Sequence, residues 1–284
     1  MEAATKVAQV VAKTNERVWL LEHAATDLRE SLGSVLHLPG HRGNPERRYG
    51  NFSVTGTLAP APFSDLSAGV LLAWSQDRSG SESKLKAVME SLKVLGLAWK
   101  IDVKQRVANT VEIRVSRVLN PRPGGAHDLV SLADVGFGVS QVLPVMVALV
   151  YAVPGQLVYI EQPEIHLHPT AQIALADAIV MASARGVFCV VETHSDHVLT
   201  AFQMAVARGQ LLPKDVICHW FERDEEGSAK VISVEPARDG ALGRWPVDFA
   251  DVAMKQQAEY IRTAQSAPVP RRKRQAGAKK TEGG

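Results

Sequence analysis

The sequence predicts an α/β protein with a parallel sheet, and three observations lead to this fold class. Residues 157–160 and 187–191 form two short, continuous apolar runs, which are typical of strands buried in a core. Between them, residues 170–184 place apolar side chains at helical spacing. A strand, a helix and a second strand in this order form a β-α-β unit, whose parallel strands we expect to be buried on both faces under helices.

The composition is that of an ordinary globular protein. The chain has 284 residues, of which 46% are hydrophobic and 22% charged, enough for one large domain or two small ones. Cys189 and Cys218 lie in apolar runs without a Cys-x-x-Cys spacing, so we expect buried, reduced thiols. Residues 1–21 predict neither a signal peptide nor a membrane span, because Lys6, Lys13, Glu16 and Arg17 lie among the apolar residues. We therefore expect a cytoplasmic protein without a membrane partner.

We predict three regions along the chain. Residues 1–125 form a helical and β accessory region, residues 126–262 a core that carries the motifs, and residues 263–284 a disordered basic tail. In the accessory region, apolar positions over 6–32 predict an amphipathic helix or helix pair. The boundary at 125 rests on the Pro- and Gly-rich loop over 120–125.

Shorter patterns predict the remaining elements. One helix starts at Ser81 or Ser83 and ends near Gly96, because apolar residues over 85–95 share one face. Strict alternation over 111–116 indicates a half-buried strand. Residues 216–221 and 230–234 predict a terminal β-hairpin.

Basic residues are concentrated in a turn-rich loop and in the tail. The loop, residues 38–50, is rich in glycine and proline, and residues 270–284 carry six basic residues against one acidic residue. A tail that only improves solubility is an equal alternative to one that binds phosphates. The candidates for nucleic-acid contacts are Arg42, Arg47 and Arg48 in the loop, with Arg271, Arg272, Lys273 and Arg274 in the tail.

Polar residues follow both apolar runs of the β-α-β unit. Glu161 comes directly after the first run, at the strand end where open α/β sheets bind ligands, and is a candidate Mg²⁺ ligand. Gln162 and Glu164 follow as candidates for positioning an attacking water. His194 takes the equivalent place after the second run, so we expect it to meet Glu161 at the same sheet edge.

The loop after Glu161 is bounded by Pro163 and Pro169. Glu164, His166 and His168 alternate within it, and in an extended backbone these three side chains share one side.

A glycine-containing segment precedes the apolar helix that starts near residue 142. Gly136, Gly138, Ser140 and Gln141 place backbone amides and a hydroxyl at a helix N-terminus, which is an arrangement that binds anions. A tight turn that needs glycine for backbone reasons is the alternative. These four residues are therefore candidates for contacting nucleotide phosphates.

Together these segments resemble the ATP-binding-cassette (ABC)-type AAA ATPases of the RecF, SMC and OLD kind, over roughly residues 36–260. The resemblance implies a three-layer P-loop NTPase core that uses ATP and Mg²⁺ and works as a homo- or hetero-dimer. In it, residues 157–161 are the Walker B strand with Glu161 at the metal, and residues 136–141 are the signature motif, which reaches the nucleotide of a second subunit. Gln162 stands where many relatives have the catalytic glutamate, and His194 where the family has its switch histidine.

The chain departs from this family in two places. No Gly-x-x-x-x-Gly-Lys-Ser/Thr loop occurs in the 284 residues, so the Walker A strand and the main phosphate cradle are missing from the sequence. The amide of Gln162 cannot accept a proton as a carboxylate can. We therefore expect an ATPase half that is incomplete alone, either a truncated product or a subunit that needs an upstream Walker A-bearing chain, acting on DNA or a partner effector in repair or phage defence.

Two other functions stay open on the sequence. One is a metal-dependent hydrolase that uses His166, His168 and His194 as ligands. The other is a non-catalytic interaction module whose open sheet edge pairs with another chain.

Overall fold

The computed structural model describes residues 35–52, 62–77, 80–106, 109–116, 128–243 and 248–266. The predicted helix over 6–32, the loop over 120–125 and most of the predicted tail lie outside these residues. The chain divides into two compact units, Met1–Gly243 and Arg244–Gly284.

The first unit contains nine strands, five α-helices and two short 3-10 helices within its described residues. The strands are β1 (Leu36–Leu38), β2 (Tyr49–Gly50), β3 (Ile101–Arg106), β4 (Thr110–Ser116), β5 (Leu129–Ser131), β6 (Leu157–Glu161), β7 (Phe188–Glu192), β8 (Cys218–Arg223) and β9 (Ala229–Val234). The helices are α1 (Phe63–Gln76), α2 (Glu82–Val94), α3 (Phe137–Tyr151), α4 (Pro169–Ala184) and α5 (Asp196–Ala207). The 3-10 helices are Leu132–Asp134 and Pro213–Asp215.

The motif-bearing sheet is parallel, with the strand order β1-β6-β7. β6, α4 and β7 form the β-α-β unit that the two apolar runs predict, so the α/β fold class with a parallel sheet is confirmed. Burial on both faces was wrong, because residues alternate along both strands. Val158 and Ile160 are buried, whereas Phe188 and Val190 on the next strand are 65% and 49% exposed.

A second, antiparallel sheet has the order β2-β4-β3, with β5 also paired to β4. Val111, Ile113 and Val115 of β4 point into the core, and the residues between them are partly exposed. The half-buried strand predicted from strict alternation is therefore confirmed.

One hydrophobic core joins the accessory elements to the motif-bearing sheet. Leu71 of α1, Val88 of α2, Val142 of α3 and Ile160 of β6 belong to the same buried cluster. α3 is buried almost all round from Val139 to Leu149, because it contacts α1, α2, β1 and β6. The domain boundary predicted at residue 125 lies in the undescribed segment 117–127 and stays a prediction.

The two ends of α2 follow the sequence in part. Ser81 is the N-cap residue, but its hydroxyl donates to Asp77 instead of accepting a bond from the first turn. The helix stops before Gly96, which has a φ of +72°. The left-handed region favours glycine, so the predicted end near Gly96 is confirmed.

The predicted hairpin is present as β8 and β9, which pair antiparallel with Phe221 opposite Val231. The second unit contains α6 (Asp248–Ser266), and its helical structure extends past the predicted start of the tail at 263. No helix within the described residues is long and apolar enough to cross a membrane.

Candidate functional site

The site lies at the carboxyl ends of β6 and β7. The two strands are in register, with Glu161 opposite Glu192, and the amide of Gln162 donates to the carbonyl of Glu192 at 2.7 Å. One step further along, the backbone N–H of His194 donates to Glu164 Oε1 at 2.9 Å. The polar segments that follow the two strands therefore meet, as the parallel topology predicts.

Glu161 is held by the segment that follows β1. His37 Nε2 lies 2.8 Å from Glu161 Oε1, and the amide of Gly40 donates to Oε2 at 2.9 Å. The Gly40 N–H, followed by the His37 hydrogen bond, lowers the pKa of Glu161 below its ordinary value. The side chain is 29% exposed, so an ionised carboxylate with free lone pairs faces the sheet edge.

Gln162 stands at a strained backbone position. Its φ is +42°, an unusual value for a residue other than glycine. Its backbone N–H donates to the Glu192 carbonyl, and its backbone carbonyl accepts a hydrogen bond from the Arg42 guanidinium at 3.3 Å. Its side-chain oxygen lies 3.6 Å from where a Cβ on Gly40 would stand, so the Gly40 segment packs directly over Gln162.

Glu164 has one fixed oxygen and one free oxygen. Oε1 accepts the His194 N–H, whereas Oε2 is buried without a hydrogen-bond partner among the described residues. A carboxylate with a free acceptor oxygen can orient a donor such as water.

The extended conformation expected for this loop was wrong. Residues 163–166 form a turn, and His166 has a φ of +64°. The side chains of Glu164, His166 and His168 therefore do not share one side. The exposed His166 ring lies 5.4 Å from the Phe137 ring, and His168 Nδ1 accepts the N–H of Thr170 at 3.3 Å, which caps α4.

This arrangement gives no support to a metal site built on histidines. Within the described residues, no group of three or more His, Cys, Asp and Glu side chains could hold a metal ion. His168 is used as a helix cap, and His166 packs against an aromatic ring.

The N-terminus of α3 lies beside the same loop. A Cβ on Gly138 would stand 3.0 Å from the His166 carbonyl oxygen, so a side chain at this position would be tightly packed. Gly136, the N-cap residue, has open space around it. Ser140 is buried and its hydroxyl donates to the Phe137 carbonyl at 2.9 Å.

Gln141 is 2% exposed and is hydrogen-bonded within the chain. Its Oε1 accepts the amide of Arg42 at 3.3 Å, and its Nε2 donates to the Gly43 carbonyl at 2.8 Å. Of the four candidate phosphate-binding residues, Ser140 and Gln141 are buried and hydrogen-bonded within the chain, whereas Gly136 is exposed at the start of α3.

The arginine loop divides into one buried and two exposed arginines. Arg42 is 8% exposed and its guanidinium is bonded to backbone carbonyls, so the prediction that it contacts nucleic acid was wrong. Arg47 is exposed and pairs with both carboxylate oxygens of Asp134, at 2.9 and 2.6 Å. Arg48 is exposed, and the tail arginines lie outside the described residues.

Several residues that hold the site were missed by sequence reasoning. His37 and Gly40 hold Glu161, and the Ser195 hydroxyl donates to Gln172 Oε1 at 2.6 Å, which fastens the His194 segment to α4. Gln172 in turn donates to the Leu167 carbonyl at 3.0 Å. In the sequence, His37 and Gly40 are marked only by their position at the start of the glycine- and proline-rich loop over 38–50.

The chain is similar to one known protein family. Residues 85–200 match the family model described as "AAA domain, putative AbiEii toxin, Type IV TA system". No curated protein matches the chain.

Solved structures of SMC heads resemble the chain with low identity. One comes from work on ATP-driven dimerization and DNA-stimulated activation of SMC ATPases: 16% identity, 63% of this chain, 92% of that chain and a TM-score of 0.38. A second is the Smc head domain of Pyrococcus furiosus with an extended coiled coil, bound to the C-terminal domain of ScpA. It is 12% identical, the match covers 65% of this chain and 38% of that chain, and the TM-score is 0.39. A third is an SMC head bound to the C-terminal winged-helix domain of ScpA. It is 13% identical, the match covers 60% of this chain and 49% of that chain, and the TM-score is 0.39. The chain thus spans less than half the length of the last two.

The match to the family model begins inside α2 and ends inside α5, so it includes β6, β7 and the segments that follow them, but not His37, Gly40 and Arg42. Over these residues the chain is similar to the AAA domain that this family model describes.

Proposed function

We propose that this chain is an ATP-binding and ATP-hydrolysing module in which Glu161 holds Mg²⁺. The observation that carries the proposal is the ionised Glu161 at the carboxyl end of a parallel strand, with Glu164 and the His194 segment fixed beside it. Open α/β sheets bind ligands at this edge, and oxygen ligands suit Mg²⁺.

Each residue has a distinct part in the proposed reaction. Bound Mg²⁺ would neutralise negative charge on the nucleotide phosphates. Glu161 keeps a free lone pair on each oxygen for the metal, although His37 and Gly40 occupy the others. Glu164 and the side-chain amide of Gln162 are the groups that would orient the attacking water, and His194 would sense the terminal phosphate from the next strand.

The described residues supply part of a phosphate cradle. Gly136 and the first amides of α3 form an open helix N-terminus, which suits the nucleotide held by a second subunit. The backbone amides and lysine of a Walker A loop do not occur in these 284 residues. ATP binding therefore requires a Walker A loop from outside this sequence, on the same polypeptide or on another chain, within a dimer.

We also propose a process that ATP binding and hydrolysis drive. We place it in nucleic-acid repair or defence against phage, with DNA or a partner effector as the target. Exposed Arg48 and the tail from Arg271 to Arg274 support a DNA contact through their charge. A non-catalytic interaction module is the alternative, since β7 is an edge strand of this sheet among the described residues and exposes the side chains of Phe188 and Val190.

Nucleotide binding with a matched variant tests the proposal. The chain is purified alone and with its upstream Walker A-bearing partner or segment, and a fluorescent ATP analogue is titrated with Mg²⁺ and with EDTA. We expect Mg²⁺-dependent binding in the combined sample, its loss in Glu161→Gln, and no change in the control Glu226→Gln, which is exposed in the turn between β8 and β9. No binding in any sample, or binding that survives Glu161→Gln and EDTA, contradicts the proposal.

A further inference from the structure

Arg42 connects two segments that lie far apart in the sequence. Its Nη2 donates to the Glu161 carbonyl at 2.6 Å and to the Gln162 carbonyl at 3.3 Å, at the end of β6. Its Nη1 donates to the Gln141 carbonyl at 3.2 Å, in α3. A single guanidinium therefore bridges the metal-binding strand end and the helix that carries Gly136.

The backbone around Arg42 reinforces this bridge. The Arg42 amide donates to Gln141 Oε1, and Gln141 Nε2 donates to the Gly43 carbonyl at 2.8 Å. Three hydrogen bonds thus join the Arg42–Gly43 backbone and guanidinium to one residue, Gln141. Side chains that are fixed by several hydrogen bonds hold one geometry, because each bond limits the others.

The guanidinium remains charged in this place. Burial lowers the pKa of Arg42 to about 10, while the nearby carboxylates of Glu164 and Glu161 oppose that shift. Arg42 is therefore protonated at neutral pH, and its Nη1 and Nη2 are hydrogen-bonded, whereas its buried Nε has no partner among the described residues. Its planar donors reach three carbonyls, which the point charge of lysine cannot do in the same way.

We propose that Arg42 is a positioning residue that couples the first turns of α3 to the end of β6, and so sets the geometry of Gln162 and Glu164. This inference rests on the proposed function for its catalytic consequence, but the coupling itself is a property of the chain. Arg42 holds Gln162 in its left-handed conformation by binding the carbonyls on both sides of that residue's φ and ψ angles. A ligand that displaces the N-terminus of α3 would therefore shift Gln162 and Glu164 through Gln141 and Arg42.

Hydrogen exchange of the full chain without nucleotide tests the coupling. In Arg42→Lys we expect about tenfold faster exchange in two separate peptides, residues 137–145 and 158–166. The variant lacks hydrogen bonds that hold both segments closed, so local opening costs less free energy. The control is Arg47→Lys, the same change in an exposed arginine of the same loop, which should leave both peptides unchanged. Faster exchange in one peptide alone, in neither, or equally across the whole chain overturns the inference.

Turnover in the ATP-binding assembly tests the consequence. Arg42→Lys should lower kcat by about 100-fold, as expected for misplaced reacting groups, with KM changed by less than about threefold. Gln141→Ala should lower kcat similarly, and the double variant should be no worse than either single variant. If the wild-type assembly neither binds nor hydrolyses ATP, the proposed function fails while the exchange result still decides the coupling. Equal kcat values, or losses of kcat and binding together, overturn the role of Arg42.

Discussion

The backbone N–H of His194 donates to the carboxylate of Glu164 at 2.9 Å, which joins the segments that follow two neighbouring parallel strands. Glu164 lies in the turn after β6, and His194 lies between β7 and α5. Thirty residues separate them in sequence. This bond makes the two strand ends one site, because neither segment can move away without breaking it.

Glu164→Ala should therefore destabilise the chain. We expect the free energy of unfolding to fall by about 1–2 kcal/mol, because a hydrogen bond to a charged group is lost and the His194 amide is left unpaired. Glu164→Gln should lose less, since an amide oxygen can still accept the bond. Denaturant unfolding measures both, with the exposed Glu192→Gln as a control that should change by less than about 0.5 kcal/mol. Equal losses in the alanine and glutamine variants would contradict the role of this bond.

Glu161 should make stability depend on pH on the acid side. The Gly40 N–H and His37 lower its pKa from 4.5 in the folded chain, so its contribution is present above that value and is lost as the pH falls through the lowered pKa. Unfolding measured from pH 7 to pH 3 should show a difference between wild type and Glu161→Gln that shrinks with acidification.

His37→Ala is the companion variant for Glu161. Removing this hydrogen bond takes away part of what lowers the pKa of Glu161, so the acid-side loss of stability should be smaller and should end at a higher pH than in the wild type. An unchanged acid limb in His37→Ala would show that the Gly40 amide alone sets the carboxylate.

The sequence predicts the β-α-β unit well, because strand and helix periodicities are strong over residues 157–191. It also places Glu161 and His194 at one sheet edge, since the carboxyl ends of parallel strands meet there. Burial of both faces of β7 does not follow from its apolar run, because periodicity cannot separate a half-exposed apolar strand from a core strand.

Other features of the site depend on tertiary contacts. Arg42, Arg47 and Arg48 lie in the same glycine- and proline-rich loop, yet Arg42 is buried and the other two are exposed. The buried Arg42 is bonded to the carbonyls of Gln141, Glu161 and Gln162, which come from distant segments of the sequence. The left-handed conformation of His166 is set in the same way by packing, and it removes the alternation on which the histidine cluster was predicted.

Gly138 should tolerate a larger side chain poorly, unlike Gly136. A Cβ at 138 would stand 3.0 Å from the His166 carbonyl, so Gly138→Ala should cost about 1–3 kcal/mol through overpacking. Gly136→Ser is the matched control, because that N-cap position is open and serine is favoured at N-caps, so stability should change by less than about 0.5 kcal/mol. Thermal unfolding compares the two variants. A loss at 136 as large as at 138 would refute the packing explanation for Gly138.

Ser195 should stabilise the chain through two bonds made by one hydroxyl. Its oxygen accepts the Val198 N–H at 3.1 Å, which caps α5, and donates to Gln172 Oε1 at 2.6 Å, which holds the His194 segment on α4. Ser195→Ala removes the cap and leaves a buried acceptor on Gln172, so we expect a loss of about 1–2 kcal/mol in the free energy of unfolding.

The control for Ser195 is Ser91→Ala, because the Ser91 hydroxyl donates only to the Ala87 carbonyl one turn earlier in α2. Its stability should change by less than about 0.5 kcal/mol. Hydrogen exchange at His194 should also rise in Ser195→Ala, since both anchors of that segment, Gln172 and Glu164, act on the same short stretch. Unchanged exchange at His194 would mean that Glu164 alone holds the segment, and that Ser195 acts only as the cap of α5.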